Sequence, residues 1–377
     1  MTCAYRFVLE VRTLNGDVLF SEALEPDWEP AVQGTRLVGL RTLGVRHHDG
    51  GAESSVVPVW HAAAGQPMVQ WLRVRMTADG HDWFADFQTN EYFAGAAHAV
   101  VAARLAAGQL GPDDRVRYAV AAYPAEALRP VSHRPRLQVV DRPQPLDVRD
   151  RAFSALAARA IACGESDPAD VEVVLPETLL DEVCALTEAA GERETGGILI
   201  GHLCRDENRG DVGLEITAQI PARHAVSAAE KLTFTSETWT DVRGAVALRK
   251  QGELLVGWWH SHPAFSWCAR CPIERQRVCQ LASGFLSADD KALHRSVFAG
   301  AYTQALLVTK SVAGLDTRVF GWRGGVLKAR GFRVSRESGA RGSLGFASLR
   351  TAPSIAEAAC ANESGPPQAD LLVVSGH

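Results

Sequence analysis

The chain has 377 residues, of which 46% are hydrophobic and 22% are charged. This is the composition of a soluble globular protein, and the length suits about two domains. The net charge of −5 argues against binding to nucleic acid or an anionic membrane mainly through positive charge. No apolar run approaches the roughly 18 residues of a membrane-spanning helix, and the N-terminus has no signal-peptide pattern. We therefore expect a cytoplasmic protein without nucleic-acid or membrane partners, whose eight cysteines are thiols or metal ligands.

The N-terminal part, residues 1–123, is predicted to be a smaller α+β domain. Alternating apolar residues and turn signals indicate strands at Tyr5–Arg12, Arg36–Leu43, Val56–His61, Met68–Thr77, Trp83–Thr89 and Arg115–Ala122. A helix rich in alanine is expected at Ala94–Ala107. The adjacent His47 and His48 are interpreted as part of a solvated turn rather than as a metal site. Because no catalytic motif is present here, we assign this domain to recognition of a substrate or partner.

Residues 124–169 change character and are predicted to be a linker. Five prolines, at positions 124, 130, 135, 143 and 145, interrupt an Arg-rich and weakly periodic stretch. A short helix is expected at Asp150–Cys163. At the other end of the chain, residues 335–377 are rich in Ser, Gly and Ala, and this composition predicts a disordered tail.

Residues 170–334 are predicted to form one compact α/β domain. Its strands are expected at Val171–Leu175, Gly197–Cys204, Val212–Ile220, Lys231–Phe234, Glu253–His262, Ala305–Thr309 and Thr317–Trp322. Helices are expected at Glu177–Ala190, at Ser236–Arg249 and from about Ser287 onward. The strand Glu253–His262 ends in His260 and His262, and the period of two along a strand places both imidazoles on one face, close enough to share a metal ion. A pair of surface histidines is the alternative.

Two acidic residues accompany this pair. Ser287 and Asp290 form a Ser-x-x-Asp pattern, which is typical of an N-terminal capping box and also places a fixed carboxylate in the first turn of a helix. Glu194 precedes Gly196-Gly197 and an apolar strand. By itself it is more typical of an acidic residue in a solvated loop.

Taken together, Glu194, the His-x-His-Pro segment and the Ser-x-x-Asp segment resemble the JAMM (MPN+, JAB) family of zinc metalloproteases over residues 170–334. The resemblance implies a mixed sheet flanked by helices and a catalytic zinc ion bound by His260, His262 and Asp290. Two histidines and one carboxylate leave the fourth zinc position open, as in catalytic sites. The resemblance further implies that Glu194 is the general base and acid, and that Ser287 hydrogen-bonds the developing oxyanion.

The sequence departs from the family between Pro263 and Ser287. Here an insert, residues 264–286, contains Cys268, Cys271 and Cys279. A Cys-x-x-Cys pair with a third nearby cysteine is typical of zinc chelation, so we predict a second, structural zinc. Buried unliganded thiols or a redox pair are the alternatives. Cys204 and His294 are the candidates for a fourth ligand.

The resemblance implies an isopeptidase or endopeptidase that cleaves after the C-terminus of a ubiquitin-like modifier, either maturing a precursor or releasing the modifier from a target. Within this family, the chain most resembles the deconjugating proteases encoded beside bacterial ubiquitin-like conjugation operons. These operons often lie in antiphage defence islands. The alternatives are a non-catalytic MPN scaffold and a JAMM hydrolase that processes a sulfur-carrier protein. A zinc module that binds nucleic acid is disfavoured by the negative net charge.

Overall fold

The computed structural model describes residues 1–45, 52–78, 80–111, 113–125, 146–206, 210–224, 226–227, 232–269, 272 and 284–336. The helices in this part of the chain are α1 (Glu29–Leu43), α2 (Thr89–Tyr92), α3 (Ala94–Ala106), α4 (Phe153–Arg159), α5 (Glu177–Ala190), α6 (Ser236–Arg249), α7 (Ala264–Trp267) and α8 (Ala288–Val297). The chain divides between Leu146 and Asp147 into two compact units, except that Gly324–Val326 group with the first unit.

The strands before this division are β1 (Thr2–Cys3), β2 (Tyr5–Thr13), β3 (Val18–Leu24), β4 (Glu53–His61), β5 (Gly65–Ala78), β6 (His81–Gln88) and β7 (Val116–Pro124). Those after it are β8 (Val148–Arg151), β9 (Ile161–Cys163), β10 (Glu172–Pro176), β11 (Gly196–Asp206), β12 (Val212–Pro221), β13 (Val226–Ser227), β14 (Leu232–Thr233), β15 (Leu254–His262), β16 (Gln304–Ser311), β17 (Gly314–Arg323), β18 (Val326–Arg330) and β19 (Phe332–Ser335). No helix within the described ranges is long and apolar enough to cross a membrane.

The first unit is built on a seven-stranded sheet with the order β1-β4-β5-β7-β2-β3, in which β6 also pairs with β5. Alternate residues of β2 and β5, such as Phe7 and Leu72, point inward and form one apolar core with Trp28 and Phe93. Helix α1 lies against β6, where the indole N–H of Trp83 donates to the carbonyl of Thr35 at 2.8 Å.

One prediction for this unit is wrong. Residues Arg36–Leu43 were expected to form a strand, but they are the second half of helix α1. The signals that define this helix lie outside the apolar run: Pro30 stands in its first turn, and Gly44 ends it in the left-handed conformation with φ of 69°. The buried positions, which include Ala31, Thr35 and Gly39, recur every four residues and therefore trace one helical face.

The second unit is built on a ten-stranded mixed sheet with the order β18-β17-β16-β15-β11-β12-β10-β19-β9, in which β8 also pairs with β11. The α/β architecture expected from the sequence is confirmed. Strand β11 pairs antiparallel with both β12 and β15, and residues Gly196 to Cys204 along it are all buried. Strand β15 lies between β11 and β16, so its end is held from both sides.

The segment predicted to be a linker differs from the prediction in its second half. Strand β8 pairs with β11, and β9 pairs with β19, so residues from Val148 onward belong to the second sheet. Helix α4 is the short helix expected in this region. The ring of Phe153 packs helix α4 against Gly213. A Cβ atom at position 213 would lie 2.0 Å from this ring, so the contact requires glycine. Residues 126–145 of the linker, the pair His47 and His48, and residues 337–377 of the tail lie outside the described residues.

Candidate metal centre

The end of strand β15 presents two buried histidines on one face of the sheet. His260 and His262 are 0% and 2% exposed, and their Nε2 atoms lie 3.1 Å apart. The strand period predicted this common face. Because β15 is an interior strand, the imidazoles are held at a fixed backbone spacing.

Helix α8 brings a carboxylate to the same point. Asp290 Oδ1 lies 3.3 Å from His260 Nε2, and its Oδ2 lies 3.6 Å from His262 Nε2. The predicted capping box is present: the backbone N–H of Ser287 donates to Asp290 Oδ2 at 2.7 Å, and the backbone N–H of Asp290 donates to Ser287 Oγ at 3.1 Å. The cap therefore fixes the orientation of the carboxylate that faces the histidines.

The surroundings set the protonation states of this cluster. Burial lowers the pKa of His262, although a hydrogen bond to Asp290 acts in the opposite direction. Burial by itself would raise the pKa of Asp290, but hydrogen bonds from His260, His262 and Ser287 outweigh it and lower that pKa well below its usual range. The result is a carboxylate beside a neutral imidazole, which are the protonation states that bind a metal ion.

The geometry fits a small tetrahedral metal ion. The ligand atoms of His260, His262 and Asp290 all lie within 4.8 Å of one another. In a tetrahedral zinc site with bonds of about 2.0–2.1 Å, neighbouring ligand atoms are about 3.3 Å apart. The separations of 3.1 and 3.3 Å between His260 Nε2 and its two neighbours match this edge length. These three side chains can therefore hold a metal ion.

Aromatic rings hold the two imidazoles in place. Among the described residues, neither His260 Nδ1 nor His262 Nδ1 has a hydrogen-bond partner, whereas ligating histidines usually donate from the second nitrogen. Instead, Trp258 stacks on His260 with ring centroids 4.4 Å apart and an angle of 11°. The His262 ring packs against Trp267 and Phe285, with ring centroids 4.9 and 5.5 Å away. Packing therefore restricts both ligand rings.

Glu194 lies beside the cluster but outside it. Its side chain is buried, and its Oε1 is 4.0 Å from His262 Nε2. The segment that carries it is tied to β15: the backbone N–H of Thr195 donates to Ser261 Oγ at 3.0 Å, and the N–H of Ser261 donates to the Thr195 carbonyl at 2.8 Å. A carboxylate near the ligands but not among them is suited to move a proton rather than to bind the metal.

Two of the three cysteines of the second predicted zinc site, Cys271 and Cys279, lie outside the described residues. Cys268 is buried at the end of α7. Neither candidate fourth ligand is supported. His294 uses both ring nitrogens in hydrogen bonds to Trp258 and Thr303. Cys204 packs in an apolar cluster, and burial raises its pKa to about 11, which disfavours the thiolate that a metal requires.

Two residues that matter to this geometry were not singled out by sequence reasoning. Ser261, between the two histidines, faces away from them and anchors the segment of Glu194. Trp258 contacts His260 and bonds to His294. The signals were available as spacings: Trp258 lies two residues before His260 on the same strand face, and His294 lies one helical turn after Asp290.

One family model matches the part of the chain that carries both histidines. A model of the prokaryotic homologs of the JAB domain matches residues 176–266, a stretch that contains Glu194, His260 and His262 but ends before Asp290. None of the curated proteins compared with the chain matches it significantly. Among solved structures, the solution structure of protein DSY2949 from Desulfitobacterium hafniense is 16% identical, covers 44% of this chain and 94% of its own, and gives a TM-score of 0.30. The match supports a JAB/MPN domain in the part of the chain that contains residues 176–266.

Proposed function

We propose that the second unit is a zinc-dependent hydrolase that cleaves an amide bond, with His260, His262 and Asp290 as the zinc ligands. The observation that carries the proposal is the cluster of two buried histidines and a partly buried aspartate at tetrahedral edge distances, with the Glu194 carboxylate 4.0 Å from His262. Members of the family without catalytic activity act as scaffolds. The complete set of ligands and the neighbouring carboxylate favour a hydrolase here.

The residues divide the work of hydrolysis between them. A zinc ion bound at this site would polarise the scissile carbonyl and acidify the attacking water. Glu194 accepts a proton from that water as its oxygen bonds to the carbonyl carbon, and delivers the proton to the nitrogen when the C–N bond breaks. Ser287 Oγ already accepts the N–H of Asp290, so its hydroxyl proton is available to donate to the developing oxyanion.

The proposed substrate is the C-terminal tail of a ubiquitin-like protein, joined either to a target amine or to a short extension. This choice rests on the resemblance to deconjugating JAMM proteases. On the same resemblance, we propose that the enzyme acts in the cytoplasm of a bacterium as part of antiphage defence. We further propose that residues 1–123 recognise the modifier or its target. The Cys268, Cys271 and Cys279 set remains the proposed ligand set of a structural zinc.

The test uses the full chain loaded with zinc and a ubiquitin-like protein, encoded near this gene, fused through its C-terminus to a reporter. The expected result is cleavage at the junction, abolished by phenanthroline and by His262→Ala. Thiol alkylation should leave the catalytic step unchanged, because no cysteine acts as the nucleophile. Wild-type protein that binds zinc yet cleaves no such fusion would overturn the proposed substrate. Failure to bind zinc at all would overturn the hydrolase and favour a scaffold.

A further inference from the structure

Helix α8 must be placed accurately, because it carries Asp290 to histidines on a different element. The helix has ten residues, a length at which isolated helices are marginal in water. The capping box orients the carboxylate relative to the helix, but it does not connect the helix to β15. Of the residues of α8, only His294 is fully buried, so the connection must be sought there.

Two parallel rows of side chains meet between strand and helix. On β15, Trp258 and His260 lie two residues apart on one face. On α8, Asp290 and His294 lie one turn apart on one face. Asp290 faces His260 at 3.3 Å, and His294 faces Trp258, whose indole Nε1–H donates to His294 Nδ1 at 3.1 Å. Two successive contacts therefore join the helix to the strand, Asp290 with His260 and His294 with Trp258. Only the first of these contacts would involve the metal.

The donors and acceptors in the hydrogen bonds around His294 can be assigned in only one way. An indole N–H can only donate, so His294 Nδ1 is the acceptor and its Nε2 carries the proton. That proton is donated to Thr303 Oγ1 at 3.2 Å. The Thr303 hydroxyl in turn donates to the carbonyl of Phe298 at 2.5 Å or of Gly300 at 2.8 Å. Trp258, His294 and Thr303 are all buried, so loss of one of these partners leaves a buried polar atom unpaired.

Trp258 also contacts the ligand row directly. Its ring stacks on that of His260, whose Nδ1 has no hydrogen-bond partner among the described residues. The same side chain thus restricts a ligand ring through stacking and fixes the position of α8 through its N–H.

We propose that Trp258 and His294 are positioning residues that hold α8 against β15 and so keep Asp290 at zinc-binding distance from His260 and His262. The inference rests on the proposed zinc site and extends it to two residues that do not touch the metal. The positioning role applies to the metal-free protein as well, because the hydrogen bond between Trp258 and His294 joins β15 to α8 without a metal ion.

The test compares two neighbouring tryptophans on β15. Trp258→Phe keeps an aromatic ring for stacking on His260 but removes the donor to His294. Trp259→Phe is the matched control: Trp259 is equally buried on the opposite face, and its indole N–H donates to Gln219 Oε1 at 2.9 Å. Both variants lose one buried hydrogen bond of the same kind. Zinc affinity is measured by competition with a chromophoric chelator, and the coordination sphere by the visible spectrum of the cobalt-substituted protein.

We expect Trp258→Phe to weaken zinc binding by about 10–100-fold, the effect typical of residues that orient ligands, and to alter the cobalt spectrum. Trp259→Phe should lower the melting temperature comparably and leave affinity and spectrum unchanged. His294→Leu should weaken zinc binding as Trp258→Phe does, and the double variant should be no worse than either single one. Should Trp258→Phe fail to fold, Thr303→Ala breaks the same chain of bonds at its far end and should also weaken zinc binding.

Equal zinc affinity in wild type and Trp258→Phe, or equal losses in Trp258→Phe and Trp259→Phe, would overturn the positioning role while leaving the zinc site intact. Wild-type protein that does not bind zinc would overturn the proposed function and this inference with it. The two failures are therefore distinguished by the wild-type titration.

Discussion

The hydroxyl oxygen of Ser261 lies 3.0 Å from the backbone nitrogen of Thr195 and accepts its hydrogen bond. The middle residue of the His-x-His segment thus holds the residue that follows Glu194. Since Ser261 lies on the opposite face of β15 from the two histidines, one strand fixes the proposed metal ligands with one face and the proposed proton acceptor with the other.

Ser261→Ala should therefore lower kcat without changing zinc affinity. The variant leaves the Thr195 N–H without its side-chain acceptor, which costs about 1–3 kcal/mol where the group is buried, and it frees the segment of Glu194 to shift. We expect a loss in kcat of about tenfold or more, measured with zinc at saturation. Ser296→Ala, at an exposed position on α8, is the control and should behave as wild type. An equal fall in zinc affinity would show that Ser261 supports the ligands instead.

Glu194→Gln should separate chemistry from metal binding. The substitution preserves size and shape but removes the basic carboxylate, while all three ligands remain. Zinc content should stay at the wild-type level and substrate should still bind. Turnover should fall by about 10²–10⁴, the usual contribution of general acid–base catalysis. Single-turnover cleavage together with zinc analysis measures both quantities. Full cleavage by this variant would refute the assigned mechanism.

The two proposed ligand sets predict two zinc ions per chain. His260→Ala combined with His262→Ala should remove one ion and leave the fold, because β15 remains paired with β11 and β16. Cys268→Ser combined with Cys271→Ser should remove the other ion and lower the melting temperature, since a structural zinc contributes to folding. Elemental analysis and thermal unfolding give the two readouts. A single zinc in the wild-type protein would eliminate the cysteine site.

Two substitutions of Ser287 should separate its two roles. Ser287→Ala removes both the helix cap, worth about 1 kcal/mol, and the hydroxyl proton. Ser287→Asp keeps a side-chain oxygen suited to the cap and, as a carboxylate, has no proton to donate. Both variants should lose turnover, by about 10²–10³ if Ser287 stabilises the oxyanion, but only the alanine variant should bind zinc more weakly. Normal turnover in the aspartate variant would assign Ser287 to capping alone.

His294 should make the zinc-free protein less stable in acid. Burial, with a contribution from the positive charge of Arg330, lowers the pKa of His294 from 6.5 to about 3. Between these two values the unfolded chain binds a proton that the folded chain does not. The associated stability is therefore fully present above pH 6.5 and is lost as the pH falls toward 3, at up to about 1.4 kcal/mol per pH unit.

Urea unfolding across this pH range, with zinc chelated, measures the effect. His294→Gln has no group to titrate, so its free energy of unfolding should fall less steeply than that of wild type as the pH is lowered. Ser296→Ala, at an exposed position on the same helix, should keep the wild-type slope. Parallel curves for wild type and His294→Gln would contradict the expected protonation behaviour.

Local patterns were sufficient for much of the second unit. The period of two along β15 placed His260 and His262 on one face, and the Ser-x-x-Asp spacing predicted the capping box that orients Asp290. They were insufficient where the deciding residues lie outside an apolar run. The helix at Arg36–Leu43 depends on Pro30 before it and Gly44 after it. Strand β8 belongs to the second sheet because β11 pairs with it, which no property of residues 148–151 reveals.

The sequence by itself determined which chemical groups this protein carries and how neighbours a few residues apart are arranged, because strand and helix periods are set by local backbone geometry. Only the tertiary structure decided that Asp290, on a separate helix, lies 3.3 Å from His260, and that Trp258 bonds to His294. Those distances depend on how β15 and α8 pack, and packing is settled by burial and hydrogen bonding among residues distant in the chain.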